Sequence, residues 1–233
     1  MFQQVKQSRV FQDVIDQIQE AILQGKLKVG DRLPAERELK EILGTSRGTL
    51  REALRVLEQK GLITIKTGVA GGPIVSSVPP QKVSESLALL IRSQKVPMKH
   101  LSEFREGVEG IVSGLAAERA TGEDIEHLNA LLREAEECLE QGVSRWDEFI
   151  GADNKIHMYL AHIAGNPVYE LVLDTVHENI TRYYDRLLPR RDEIMEENYR
   201  DLCEIVEAVE LGQADRARSI AQDHVRRFNL FME

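Results

Sequence analysis

Cysteine and long apolar runs are what this chain of 233 residues has least of. Its two cysteines, Cys138 and Cys203, are too few for a disulfide framework, and neither belongs to a Cys-x-x-Cys pair. No apolar run approaches the roughly eighteen residues that a membrane-spanning helix requires, and the N-terminal residues lack the apolar stretch of a signal peptide. We therefore expect a cytoplasmic protein with no membrane partner.

The chain also lacks an excess of basic residues, since its formal net charge is −9. That balance by itself argues against a nucleic-acid partner. The charge is unevenly distributed, however: residues 1–78 hold 12 Lys and Arg against 9 Asp and Glu, whereas the remaining residues hold 18 against 30. Because affinity for DNA depends on local neutralisation of phosphates, only the N-terminal part suits DNA, and the acidic remainder must have another task.

Within the N-terminal part, one segment has the features of a DNA-reading helix. It begins at Thr45-Ser46, a hydroxyl pair suited to the N-cap. Its apolar residues recur at i, i+3, i+4 and i+7, which predicts a buried stripe of Leu50, Ala53, Leu54 and Leu57. Arg47, Thr49 and Arg51 lie off that stripe near the N-terminal end, where the recognition helix of a helix-turn-helix meets base edges in the major groove.

The segments around this helix predict its supporting structure. Val10–Leu23 is an amphipathic helix, and Glu36–Leu43 is a second helix that Gly44 ends. After the recognition helix, the alternation of Leu62–Lys66 predicts a half-buried strand, and the glycines that follow predict the turn of a hairpin. Lys66 supplies positive charge at the base of that hairpin. Together these elements predict a winged helix-turn-helix with a small β-hairpin as its wing.

The remainder of the chain has the pattern of a helical bundle. Residues 76–84, which include Pro79-Pro80, interrupt every periodic pattern and predict a linker. From Glu85 onward apolar residues recur at helical spacing and strand signals are absent. We therefore predict a mainly α protein: a DNA-binding domain at 1–78, a linker at 79–84, and an antiparallel bundle of six or seven helices at 85–233.

Three residues of the predicted bundle have the chemistry of a divalent-metal site. Asp153 and His157 are spaced i, i+4, so their side chains point the same way, and His224 lies among apolar residues of the last helix. Such a set suits zinc, nickel or manganese, although an Asp-x-x-x-His pair is also common as a hydrogen-bonded surface pair. No role is assigned to the remaining histidines: His100, His127, His162 and His177.

The run LPAERELKEILGTSRGTLREALRVLEQKGLI resembles the winged helix-turn-helix of the GntR family of bacterial transcriptional regulators. The resemblance implies DNA contacts at six N-terminal positions: Arg37, Arg47, Gly48, Thr49, Arg51 and Gly68. We add Lys66 to these predicted contacts because of its positive charge. The chain departs from the best-known pattern at two of the motif's positions. Gly48 stands where a hydroxyl residue can occur, and Thr67 stands where a histidine can occur.

The segment from Phe149 to Val168, which contains DNKIHMYLAHIAGNPV, resembles the FCD ligand-binding domain of the FadR-like subgroup of that family. The resemblance implies an effector-binding and dimerisation domain in which Arg105 contacts an effector carboxylate. It also implies that Asp153, His157 and His224 are three of four usual metal ligands. The fourth position falls on Leu202, which cannot ligate. Either three side chains hold the metal with water or effector, or this chain works without metal.

These features together predict a ligand-responsive transcriptional regulator, a homodimer that binds a palindromic operator and acts as a repressor. The expected effector is a small organic acid, such as a hydroxy or sugar acid, bound in the C-terminal bundle. Two alternatives remain open at this point. In the first the metal ion is itself the signal; in the second Asp153, His157 and His224 form the facial triad of a metalloenzyme, although no general base or nucleophile accompanies them.

Overall fold

A computed structural model of the chain describes residues 9–68, 71–77 and 79–230. The chain divides into two compact units, Met1–Val83 and Ser84–Glu233. The described residues form ten α-helices and one two-stranded antiparallel sheet, so the predicted fold class is confirmed. Among these residues, no helix combines the length and the apolar character needed to cross a membrane.

The N-terminal unit contains a three-helix core followed by a β-hairpin. Its elements are α1 (Arg9–Leu23), α2 (Glu36–Ile42), α3 (Arg47–Gln59), β1 (Ile63–Lys66) and β2 (Gly72–Val75). The strands are antiparallel, with Ile63 opposite Val75 and Lys66 opposite Gly72. One apolar cluster joins α1, α2, α3 and β1, and it holds the whole apolar stripe of α3 away from solvent. The winged helix-turn-helix that the sequence predicts is therefore present.

Helix α3 begins and ends at the predicted signals. Ser46 is its N-cap, and the Ser46 hydroxyl accepts a hydrogen bond from the backbone N–H of Thr49 at 3.1 Å. This bond satisfies one of the unpaired donors at the helix start. At the other end Gly61 has a φ of 79°, a left-handed conformation that only glycine adopts without steric cost. With one face of α3 fixed in the core, the opposite face carries the arginines.

The segment predicted as an irregular linker is mostly helical. Helix α4 (Pro80–Leu90) begins within it, because proline is well tolerated in the first helical turn, where its missing N–H costs nothing. In that first turn, the Lys82 ammonium donates hydrogen bonds to the backbone carbonyls of Glu58 and Gln59 at the end of α3. Helix α4 is followed by one π-helical turn, Ile91–Lys95.

The C-terminal unit is an all-helical bundle, as predicted. Six long helices follow α4 and are separated by short turns, one of which is the 3₁₀ turn Gly142–Arg145. They are α5 (Met98–Arg119), α6 (Gly122–Leu139), α7 (Trp146–Ile163), α8 (Pro167–Leu187), α9 (Asp192–Glu210) and α10 (Ala214–Leu230). Together with α4 they make seven, and no strand occurs in the described part of this unit.

Two apolar clusters fill the bundle, and a layer of buried polar residues lies between them. The first cluster includes Val112 of α5, Ile156 of α7, Leu202 of α9 and Ala221 of α10. The second includes Leu101, Phe149, Met195 and Phe228 of the same four helices. Buried polar residues lie between these two sets of apolar positions along the four helices, and one more comes from α8. We call them the polar layer: Arg105, Glu109, Asp153, His157, His177, Asn198, Asp201 and His224. Each is at most 6% exposed, so their polar groups must pair with one another or with a ligand.

Candidate functional site

The first candidate site is the exposed N-terminal end of helix α3. The side chains of Arg47 and Arg51 are 71% and 52% exposed. Both face Glu36 of α2, whose Oε2 accepts a hydrogen bond from Nε of Arg51 at 2.9 Å and lies 3.7 Å from Nε of Arg47. Glu36 thus brings together two of the predicted DNA-contacting arginines. The sequence pattern missed Glu36, because its partner Arg51 lies fifteen residues away on another helix.

The other predicted DNA-contacting residues are placed around this end of the helix or on the hairpin. Arg37 is almost fully exposed and pairs with Glu41 at 3.9 Å. Gly48 is also exposed, and a Cβ there would meet only the Ser46 hydroxyl at 3.8 Å, so packing does not require glycine. The Thr49 hydroxyl is engaged with the Ser46 hydroxyl at 2.8 Å.

On the hairpin, Lys66 and Gly68 are exposed, and Gly68 has a φ of 106°. This left-handed conformation explains a glycine at that point of the turn. Residues 69 and 70 at the wing tip lie outside the described residues.

The second candidate site is in the polar layer and contains the three predicted metal ligands. Oδ1 of Asp153 lies 3.6 Å from Nε2 of His157 and 3.6 Å from Nε2 of His224, and the two Nε2 atoms are 3.2 Å apart. A tetrahedral zinc ion with bonds of about 2.0–2.1 Å places neighbouring ligand atoms about 3.3 Å apart. Among the described residues, Oδ1 of Asp153 is buried without a hydrogen-bond partner. This triangle of atoms, which we call the ligand triangle, therefore fits a divalent metal ion.

Each imidazole of the ligand triangle has a carboxylate on its other nitrogen. Nδ1 of His157 lies 2.8 Å from Oε2 of Glu109, and Nδ1 of His224 lies 3.4 Å from Oδ2 of Asp201. In metal sites such carboxylates fix the ring orientation and keep the proton on Nδ1, which leaves Nε2 for the ion. Glu109 and Asp201 were both missed from the sequence, because each belongs to a different helix from the histidine that it contacts.

His177 is a further member of the polar layer to which the sequence assigned no role. Its Nε2 lies 3.0 Å from Oε1 of Glu109, and its ring centroid is 5.6 Å from that of His157. It therefore has a carboxylate partner, although not one at helical spacing, since Glu109 is on α5 and His177 is on α8. Glu109 therefore contacts both rings, through Nδ1 of His157 and through Nε2 of His177.

Two other predicted residues of this site have fixed positions. Arg105, the predicted effector contact, is 2% exposed and donates a hydrogen bond from Nε to Oε1 of Glu109 at 2.5 Å. Leu202, on which the resemblance places the fourth usual ligand, is fully buried in the first apolar cluster.

The charges of the polar layer keep two carboxylates ionised. Burial alone would raise the pKa of Glu109 and of Asp153, but the neighbouring cations hold both well below their usual range. Burial opposes the charge on His157 as well, yet the two carboxylates that face it raise its pKa to about 10. Burial, helped by the charge of Arg105, lowers the pKa of His177. In the absence of a metal ion, the proton on His157 balances part of the negative charge.

Two known protein families match parts of this chain. Residues 11–71 match the family described as bacterial regulatory proteins, gntR family. Residues 100–227 match the FCD domain, and this second match covers more than half of the chain. The first match contains α2, α3 and the described start of the hairpin turn. The second contains all eight residues of the polar layer.

Similar proteins are transcriptional regulators. The chain is 28% identical to a Mycobacterium gastri protein described as the HTH-type transcriptional regulator RmpR, over 94% of this chain and 78% of that protein. It is 29% identical to the HTH-type transcriptional repressor NanR of Enterobacter sp. strain 638, over 91% of this chain and 81% of the repressor. The fold resembles that of Streptococcus agalactiae GntR, with a TM-score of 0.63 at 22% identity over 93% of this chain and 97% of that protein.

Proposed function

Because this chain belongs to the GntR family of bacterial regulatory proteins and carries an FCD domain, it is a transcriptional regulator and not an enzyme, and we propose that it is an effector-responsive repressor. In this proposal a homodimer binds a palindromic operator, and a small organic acid in the polar layer changes its affinity for that operator. The observation that carries the effector half is the ligand triangle of Asp153, His157 and His224.

The DNA half of the proposal uses the exposed end of α3. Arg47 and Arg51 are long, cationic and solvent-exposed, and guanidinium groups at this place in a recognition helix hydrogen-bond guanine edges in the major groove. Glu36 holds both arginines in the free protein, so it preorients them and is displaced when they meet DNA. Lys66 and Gly68 of the hairpin supply a charge and a close backbone approach to the phosphates or the minor groove.

The effector half assigns each residue of the polar layer a task. Asp153, His157 and His224 would hold a divalent ion such as zinc, nickel or manganese, and Glu109 and Asp201 would orient the two imidazoles. Such an ion supplies positive charge and open coordination positions to an effector carboxylate. Arg105 would then bind that carboxylate, in exchange for part of its contact with Glu109. Because Leu202 provides no fourth ligand, one side of the ion is left for effector or water.

Regulation requires that the effector prefers one arrangement of the dimer. A ligand that binds two conformations equally well does not shift the equilibrium between them. If the effector binds one conformation more tightly, the coupling free energy by which DNA changes effector binding is also the one by which the effector changes operator binding. In a two-fold dimer the relevant variable is the spacing of the two recognition helices, which must match half-sites one helical turn of DNA apart. We therefore propose that the effector changes this spacing.

The proposal can be tested by fluorescence anisotropy on a duplex operator. The operator is first selected from random DNA with the full-length protein. We expect no change of operator affinity with zinc alone and a clear change with zinc plus one carboxylic acid of a small-molecule panel. His157→Ala should abolish that change, whereas His162→Ala, an exposed histidine of the same helix, should keep it. A full response to zinc alone would instead establish a metal sensor. Sedimentation that gives a monomer at micromolar concentration would refute the dimer.

A further inference from the structure

Asn198 is the one residue of the polar layer whose whole side-chain amide is unsatisfied. It lies on α9 and is 4% exposed. Neither its Nδ2 nor its Oδ1 has a hydrogen-bond partner among the described residues. Burying an amide without partners is unfavourable, and nearly all buried polar groups in proteins are paired. A ligand that binds here and satisfies the amide would therefore gain from a group that the fold has already desolvated.

The helical register places this amide beside the proposed effector site. Asn198 lies between Met195 of the second apolar cluster and Leu202 of the first, at the level of the polar layer. It precedes Asp201 by three residues and Leu202 by four, so these three residues share one face of α9. Asp201 contacts Nδ1 of His224 at 3.4 Å, so this face of α9 packs against one of the imidazoles of the ligand triangle.

We infer that Asn198 is a specificity-determining residue of the effector pocket, and that it selects a hydroxylated carboxylic acid over a plain one. This inference rests on the proposed effector function. The amide offers two donors on Nδ2 and an acceptor on Oδ1. A hydroxyl group both donates and accepts, so neighbouring hydroxyls of a sugar acid satisfy both ends. A second carboxylate only accepts, and it would leave Oδ1 buried and unpaired.

The chemistry of the polar layer supports the division of tasks. Arg105 and the ligand triangle recognise negative charge and oxygen ligands, which every small carboxylic acid carries. Asn198 is neutral, and no described contact joins it to Arg105 or to the ligand triangle. It therefore adds no affinity for a charged group. It therefore distinguishes among acids by their hydroxyl groups and not by their charge.

Isothermal titration of the full-length, zinc-loaded protein tests this assignment with matched probes. The probes are the six-carbon sugar acids gluconate, galactonate, glucuronate and galacturonate, and their counterpart without hydroxyls, hexanoate. We expect at least one sugar acid to bind about tenfold or more tighter than hexanoate, the size of effect that one or two satisfied hydrogen bonds produce. Asn198→Leu, which keeps the branched shape and the number of side-chain heavy atoms and removes the amide, should reduce this ratio to within about threefold.

Two controls separate recognition from folding and from metal binding. Zinc affinity, measured by competition with a chelator, should be the same in Asn198→Leu and in the wild-type protein. The melting temperature of the variant without ligand should equal or exceed that of the wild type, because an unsatisfied buried amide has been removed.

Three results would overturn the assignment. A preference for sugar acids that persists in Asn198→Leu would show that other residues read the hydroxyls. Equal binding of hexanoate and the sugar acids would refute the selectivity while leaving the effector function intact. Failure of every carboxylate to bind would refute the effector function itself, and with it the role of Asn198.

Discussion

Replacing Leu202 with histidine should lower the stability of the metal-free protein and raise its affinity for zinc. Leu202 is fully buried in the first apolar cluster, and the resemblance places the fourth usual ligand on it. Truncation of a buried leucine costs about 2–5 kcal/mol. A histidine refills part of the space but brings ring nitrogens that must be desolvated, so we expect a cost of about 3 kcal/mol. In a chain of this size that loss lowers the melting temperature by about 6–12 °C.

Zinc should restore most of this loss. If the fourth ligand tightens zinc binding about 100-fold, saturating ion adds about 2.7 kcal/mol to the folded variant relative to the wild type. The two effects are nearly equal and opposite. We therefore expect a large difference in melting temperature between variant and wild type in chelator, and a small difference in excess zinc.

A matched variant separates a new ligand from a general response to zinc. Val209→His also buries an imidazole on the same face of α9 and in the same cluster, but two turns, or about 10 Å, farther along the helix. It should be destabilised with and without zinc to the same degree. If zinc stabilises both variants equally, or neither more than the wild type, Leu202 does not border the metal site and the reasoning fails.

Three further predictions address DNA, protons and effector. Arg51→Ala should weaken specific operator binding by about 1–3 kcal/mol and relax base preference locally, whereas Arg55→Ala, one turn along the same helix, should have little effect on preference in anisotropy competition. The folded His157 has a pKa of about 10, above its ordinary 6.5. Its contribution to stability is therefore complete below about pH 6.5 and is lost as the pH rises toward 10. Because zinc must displace that proton, chelator competition should show zinc affinity rising by up to about tenfold per pH unit between pH 7 and 9, and a flat profile would contradict the raised pKa. Arg105→Ala should remove the effector response in anisotropy while elemental analysis still finds metal, and loss of both would make Arg105 a structural residue.

The sequence determined those features that depend on neighbours along the chain. The N-cap at Ser46, the i, i+3, i+4 and i+7 stripe of α3 and the glycine after it predict a helix by local chemistry, and the structure has that helix. The i, i+4 spacing of Asp153 and His157 predicts that they meet on one face of one helix, and they do. Such signals depend on the 3.6-residue period and on the local chemistry of caps and glycine, so they are readable without the fold.

The segment after the hairpin shows where local signals were insufficient. Pro79-Pro80 predicted an irregular linker, yet α4 begins at Pro80 and its Lys82 satisfies carbonyls at the end of α3. Proline both interrupts helices and begins them, so its effect depends on what the next turn contacts.

Only the tertiary structure decided which groups complete the two sites. Glu36 of α2 pairs with Arg51 of α3, and Glu109 of α5 contacts the imidazoles of α7 and α8. Among the described residues, Asn198 finds no hydrogen-bond partner between the two apolar clusters. These relations join residues that are between 15 and 68 positions apart in the chain. A carboxylate or an amide on a helix has the same local pattern whether it faces solvent or a buried histidine. Its role is set by which helix packs against it, and that is a property of the whole fold.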